Sequence, residues 1–154
     1  MSEDHQFALE CHNLLNEHKI QNLSLYAAQM GRLDILKWAV EIGCKWNENT
    51  CLYAARYNQI EIIKYAIENN KYVGNYACSE AAYNGNLDLL QRMRELGCPW
   101  NENVCSYAAR AGHLHVIKWA REHGCPWNEN LCAEAAYNNH FEILKYRSEE
   151  HTSE

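Results

Sequence analysis

The fold class this sequence predicts is an all-α solenoid, a stack of helix-turn-helix units sharing one core. Three observations predict it. The dipeptide Ala-Ala returns every 27 residues, at Ala27–Ala28, Ala54–Ala55, Ala81–Ala82, Ala108–Ala109 and Ala135–Ala136. A fixed period of this length marks a stack of small units. A cysteine stands three residues before each pair from the second onward (Cys51, Cys78, Cys105, Cys132), with Ser24 in the first copy. Glycine or asparagine also recurs at two places per unit: Gly31, Asn58, Gly85, Gly112 and Asn139, then Asn16, Gly43, Asn70, Gly97 and Gly124. These residues best tolerate positive φ, so two such sets at one period mark two helix ends in each unit.

The chain, 1–154, reads as one repeat domain. A capping helix is expected over 6–21, units over 22–48, 49–75, 76–102, 103–129 and 130–150, and a polar tail over 151–154. In the unit beginning at Asn103, that asparagine is the expected helix N-cap, as are Asn22, Asn49 and Asn130, with Tyr76 the exception. A short first helix follows, through Arg110, with Cys105, Ala108 and Ala109 on one face by i, i+3, i+4 spacing. Small side chains there let the neighbouring backbone approach closely.

Gly112 turns the chain, and a second helix is expected from Leu114 to His123. Leu114 and Ile117 face the core, as do Leu33 and Leu36, Ile60 and Ile63, Leu87 and Leu90, Phe141 and Leu144. Gly124 ends it. A Cys-Pro-Trp-Asn-Glu-Asn linker joins the next unit, and Trp46, Trp100 and Trp127 share one linker position as expected wedges between units. Lys-Glu and Lys-Asp pairs such as Asp34–Lys37 and Lys118–Glu122 give the second helices a solvated outer face.

Composition excludes several functions. With 14 basic and 20 acidic residues, net −6, the chain lacks the basic face that a nucleic-acid partner requires. No stretch approaches the roughly 20 apolar residues of a membrane helix. The polar, acidic start from Met1 to Gln6 carries no secretory signal. The chain has eight cysteines, and those in register lie too far apart between units to bridge, which suits a reducing compartment, the cytoplasm or the nucleus.

The segment Ala108-Ala109-Arg110-Ala111-Gly112-His113-Leu114 resembles the ankyrin stretch AAxxGHL, and Gly31 to Lys37 is a second match. Val116-Ile117-Lys118 and Trp127-Asn128 are similar to later ankyrin positions. The likeness runs from Asn22 to Tyr146, with Phe7 to Asn16 as a lone capping helix. Two features depart from it. The period is six residues short of the usual ankyrin 33, the deficit falling where ankyrins project a β-hairpin finger. The TPLH tetrapeptide is replaced, as by Asn103 to Ser106. The GCPWNE wording is similar to a divergent class common in giant DNA viruses and some protists. The resemblance implies an ankyrin-like solenoid with short loops in place of fingers. It implies an adaptor that engages a protein partner, a host protein in the viral case, often in ubiquitin pathways.

The family places the residue after Ala-Ala on a concave face that holds partners. Here that position reads Gln29, Arg56, Tyr83, Arg110, Tyr137, and the residue before the pair reads Tyr26, Tyr53, Glu80, Tyr107, Glu134. The candidate partner site is Arg56, Tyr83, Arg110 and Tyr137, with Met30 and Tyr57 beside it, rich in types enriched at interface hot spots. The same ribbon can serve as a structural ladder, through cation–π and hydrogen-bonded contacts between units. Other readings are a scaffold, a module of a larger adaptor, or a zinc protein. The cysteine pairs Cys44/Cys51, Cys98/Cys105 and Cys125/Cys132 are spaced more widely than zinc motifs. No nucleophile-base-orienter set and no Gly-rich phosphate loop occurs, so neither an enzyme nor a cofactor is expected. Arg147 stands where earlier units carry Ala39, Ala66 and Ala120, which suits a terminal helix and a monomer.

Overall fold

The computed structural model describes residues 17–151, with side chains over 22–150. Among the described residues it is all helix and turn, without strands. Ten helices follow in pairs: α1 (Glu17–Met30) and α2 (Leu33–Glu41), α3 (Glu48–Arg56) and α4 (Ile60–Glu68), α5 (Tyr76–Tyr83) and α6 (Leu87–Glu95), α7 (Asn103–Ala111) and α8 (Leu114–Glu122), α9 (Asn130–Tyr137) and α10 (Phe141–His151). Each pair packs on itself, and successive pairs pack in chain order.

The first helices of the pairs form the A row and the second helices the B row. Contact between successive A helices is extensive, whereas along the B row only α4 and α6 touch substantially. Side-chain size explains the difference. Ala54, Ala81, Ala82, Ala108 and Ala109 are fully buried or nearly so in the A row, with Cys51, Cys78 and Cys105 beside them. The B row carries larger Leu, Ile, Met, Tyr and Trp side chains, with Ala39, Ala66 and Ala120 its small buried members. The core lies between the rows, where Leu36, Ile63, Leu90 and Ile117 are completely buried. Each contributes about 1.5–3 kcal/mol of hydrophobic stabilisation. Ile62, Leu89, Val116 and Ile143, one position earlier, are buried as well.

Both sets of turn residues adopt the left-handed conformation in the described units, with Asn58, Asn70 and Asn139 the non-glycine members. Asn16 lies outside the described residues.

The structure corrects four expectations. The capping side chains are those of Asn47, Asn101 and Asn128, whose oxygens accept from the backbone N–H of Asn49, Asn103 and Asn130. Asn47 is itself the N-cap of α3, while Glu102 and Glu129 hold that position before α7 and α9. The expected caps Asn49, Asn103 and Asn130 are therefore donors in the first turn. Asn22 lies inside α1, which runs unbroken through the expected boundary at 21/22. What remains of the expected capping helix lies outside the described residues. Phe141 is 66% exposed. No later unit among the described residues covers it, and Ile143 fills the core of α10.

Tryptophan joins successive units. Trp46 donates its indole N–H to the Tyr72 carbonyl at 2.8 Å and packs on Tyr65. Trp100 meets Trp119, and Trp127 meets Tyr146. Arg121 and Arg147 both lie over Trp127, 4.1 and 4.2 Å from the ring centre. On the outer face, Lys37 and Lys118 lie over Tyr65 and Tyr146 of the following unit, so this face also carries contacts between units.

Candidate functional site

The last turn of every A helix ends at a left-handed residue, and the next B helix folds back from it. This places the side chains flanking Ala-Ala along one edge of the stack. The six candidate residues all lie there and are all exposed: Met30, Arg56, Tyr57, Tyr83, Arg110 and Tyr137. Tyr137 is the most open, at 87%.

The ribbon is organised by ion pairs between units. Arg56 donates from Nε and Nη2 to the two carboxylate oxygens of Glu80, at 3.0 and 2.9 Å. Arg110 grips Glu134 in the same two-pronged way, at 2.8 and 2.7 Å. Planar bidentate pairing is the geometry arginine is built for. The guanidinium of Arg110 holds the Glu134 carboxyl below its usual range, and Glu134 in turn raises Arg110. Each arginine also lies over the tyrosine three residues before it, Arg56 on Tyr53 and Arg110 on Tyr107. The cation–π contacts thus run within one helix, while the ion pairs cross between units. The ladder's hydrogen-bonded contacts between units are therefore present as Arg–Glu pairs, whereas its cation–π contacts along this ribbon stay inside each helix. Tyr83 meets Tyr107 edge-on at 6.4 Å.

A second layer of hydrogen bonds fixes the ends of the A helices. Gln59 donates to the Gln29 carbonyl, and Asn84 to the Arg56 carbonyl, each at 2.9 Å. His140 contacts the Arg110 carbonyl at 3.1 Å, and His113 bonds to the Tyr83 backbone. Each of these histidines thus reaches back to the preceding unit. Burial lowers the His113 pKa, and His115 and His140 nearby push the same way.

A groove of about 420 Å³ lies between α7 and α9, lined by Arg110, Ala133, Glu134, Tyr137 and Asn138. Sequence reasoning found Arg110 and Tyr137 but left Glu80, Glu134 and Asn138 out of the site. The two glutamates stood in the repeat alignment, yet their partners lie 24 residues away, a spacing that no helical period suggests. A larger groove, about 540 Å³, lies on the opposite side between Gln91, Arg94, Glu95, Trp100, Trp119 and His123. Its groups already engage one another: Arg94 lies over Trp100, and His123 stacks on Trp119 at 4.3 Å. The edge groove is the better candidate because its largest ring, Tyr137, stands open.

Among the described residues no three His, Cys, Asp or Glu side chains converge on a point that could hold a metal ion. No helix among them is long and apolar enough to cross a membrane. Comparison with protein-family models and with curated proteins finds no match.

Proposed function

We propose that this chain is an ankyrin-type solenoid without fingers that acts as a non-catalytic protein-interaction module. Its partner is a protein, held along the A-row edge by Met30, Arg56, Tyr57, Tyr83, Arg110 and Tyr137. The observation that carries the reading is the exposed tyrosine–arginine edge fixed in place by the Arg56–Glu80 and Arg110–Glu134 bridges. Side chains ordered before binding lose less entropy when a partner arrives. The closer packing of the A row supports a stack that curves towards this edge. Net charge −6 favours a protein partner over a nucleic acid. The proposed setting is the cytoplasm or nucleus, with the chain a monomer, and the adaptor role belongs to the ankyrin resemblance.

The structural reading rests on the same bridges, which also tie units together. One experiment separates the two. Immobilised full-length chain captures proteins from a cell extract, and the captured set is compared for wild type, Tyr137→Ala and Tyr83→Ala. A protein bound by wild type and lost by Tyr137→Ala, at unchanged melting temperature, supports the interaction module. Identical capture by all three chains overturns it.

A further inference from the structure

The cysteine register hides a second pattern. Within a unit, the A-row cysteine and the linker cysteine stand 20 residues apart in sequence and meet inside the core. Cys78 donates its S–H to the Cys98 sulfur at 3.3 Å, and both side chains are completely buried. Cys105 and Cys125 hold the same two positions one unit later, both completely buried, and each shifts the other's titration. Cys44 faces Ser24 in the first unit, and Lys71 stands at the linker position opposite Cys51.

We infer that Cys78–Cys98 and Cys105–Cys125 are two oxidation sites, each closing to a disulfide within its unit on reaction with hydrogen peroxide. The sulfurs of the first pair need to approach by only about 1.2 Å to reach bonding distance. The linker cysteines sit between exposed neighbours, Gly97 and Pro99, Gly124 and Pro126, so opening the linker alone admits a small oxidant. In the second pair the linker thiol, Cys125, is the one that reacts first. The Cys105 hydrogen bond lowers the Cys125 pKa, and the guanidiniums of Arg121 and Arg94 push it the same way. Cys105 is raised well above the usual thiol range by that bond and by burial, so it stays protonated and waits.

The chemistry balances without another reagent. The Cys125 thiolate takes one oxygen from peroxide and becomes a sulfenic acid, with hydroxide leaving and taking up a proton as water. The Cys105 sulfur then attacks the sulfenic sulfur, the S–S bond forms, and the second oxygen leaves as water with the Cys105 proton. Two thiols and one peroxide give one disulfide and two waters. The bond ties the end of a unit back to its A helix.

The test uses reduced full-length chain, titrated with hydrogen peroxide, then alkylated in denaturant and mapped as peptides by mass spectrometry. The expected result is two cross-linked peptide pairs, Cys78 with Cys98 and Cys105 with Cys125, each lighter by about 2 Da and restored by dithiothreitol. The bridged chain should melt roughly 5–10 °C higher per bond, from the loop closed in each case. Cys98→Ser and Cys125→Ser should each delete one bridge and leave the other. If a variant fails to fold by circular dichroism, the wild-type map decides alone. A bridge in another register, such as Cys51 with Cys98, overturns the inference. So does retention of all four thiols at a peroxide level that oxidises the more accessible Cys132.

Discussion

Replacing Gly112 by alanine tests how units are locked together, and Gly124 supplies its control. The two glycines have nearly the same backbone, φ +81° and +80°. Left-handed geometry costs an L-residue about 1–2 kcal/mol, and the lost flexibility of the unfolded chain returns about 0.4–1 kcal/mol. Gly124→Ala, with nothing within 4 Å of its new Cβ, should therefore cost about 1 kcal/mol net. At Gly112 the Cβ would stand 2.6 Å from the His140 ring. The ring must move, which breaks its contact with the Arg110 carbonyl and adds about 1 kcal/mol. Gly112→Ala should thus cost about 2 kcal/mol, with the difference between the two variants worth about 2–4 °C in melting temperature. Urea unfolding followed by circular dichroism measures both. In a His140→Ala background the extra cost at Gly112 should vanish. Equal losses for the two glycine variants, or an extra cost that survives without His140, would refute the claim that the histidine of one unit seats on the glycine of the last.

Four further outcomes are expected. Alanine replacements at Arg110 and Glu134, singly and together, should give a coupling energy of about 0.5–1 kcal/mol that shrinks in high salt, because the pair is partly exposed. Acid should weaken the fold through His113. Its folded pKa lies below 6.5, so the unfolded chain binds the proton first. The contribution is complete above 6.5 and drains as pH falls through the folded value, and a His113→Gln chain should show a flatter melting temperature against pH. Ala109→Leu, at a fully buried A-row contact, should cost about 1–3 kcal/mol or more by overpacking, whereas Ala136→Leu on the exposed end should change stability by about 0.5 kcal/mol or less. Arg147→Ala should uncover Trp127, shift tryptophan emission to longer wavelength and cost about 0.5–1 kcal/mol.

The repeat, its two turns and most of its core were legible because each follows from local chemistry at a fixed period. Ala-Ala, the left-handed Gly/Asn positions and residues such as Leu90 and Ile117 announce themselves that way. The caps were misplaced by two residues because the linkers read Asn-Glu-Asn, and composition does not say where the backbone turns helical. The Arg–Glu bridges and the cysteine pairs were hidden for another reason. Their partners lie 24 and 20 residues apart, distances set by how units stack and fold back rather than by any helix. Phe141 misled because its register promised a neighbour that the described stack does not contain.

The two Arg–Glu bridges have a period of their own. Tyr53, Arg56, Glu80 and Tyr83 return as Tyr107, Arg110, Glu134 and Tyr137, a repeat of 54 residues, twice the structural one. Bridged junctions therefore alternate with an aromatic one, where Tyr83 meets Tyr107. The modular currency of the array is a pair of units. Inserting or deleting two would keep every arginine opposite a glutamate. Inserting one would place two units of the same type side by side, setting an arginine against a tyrosine or a tyrosine against a glutamate at the splice, so such an array lengthens most easily in even steps.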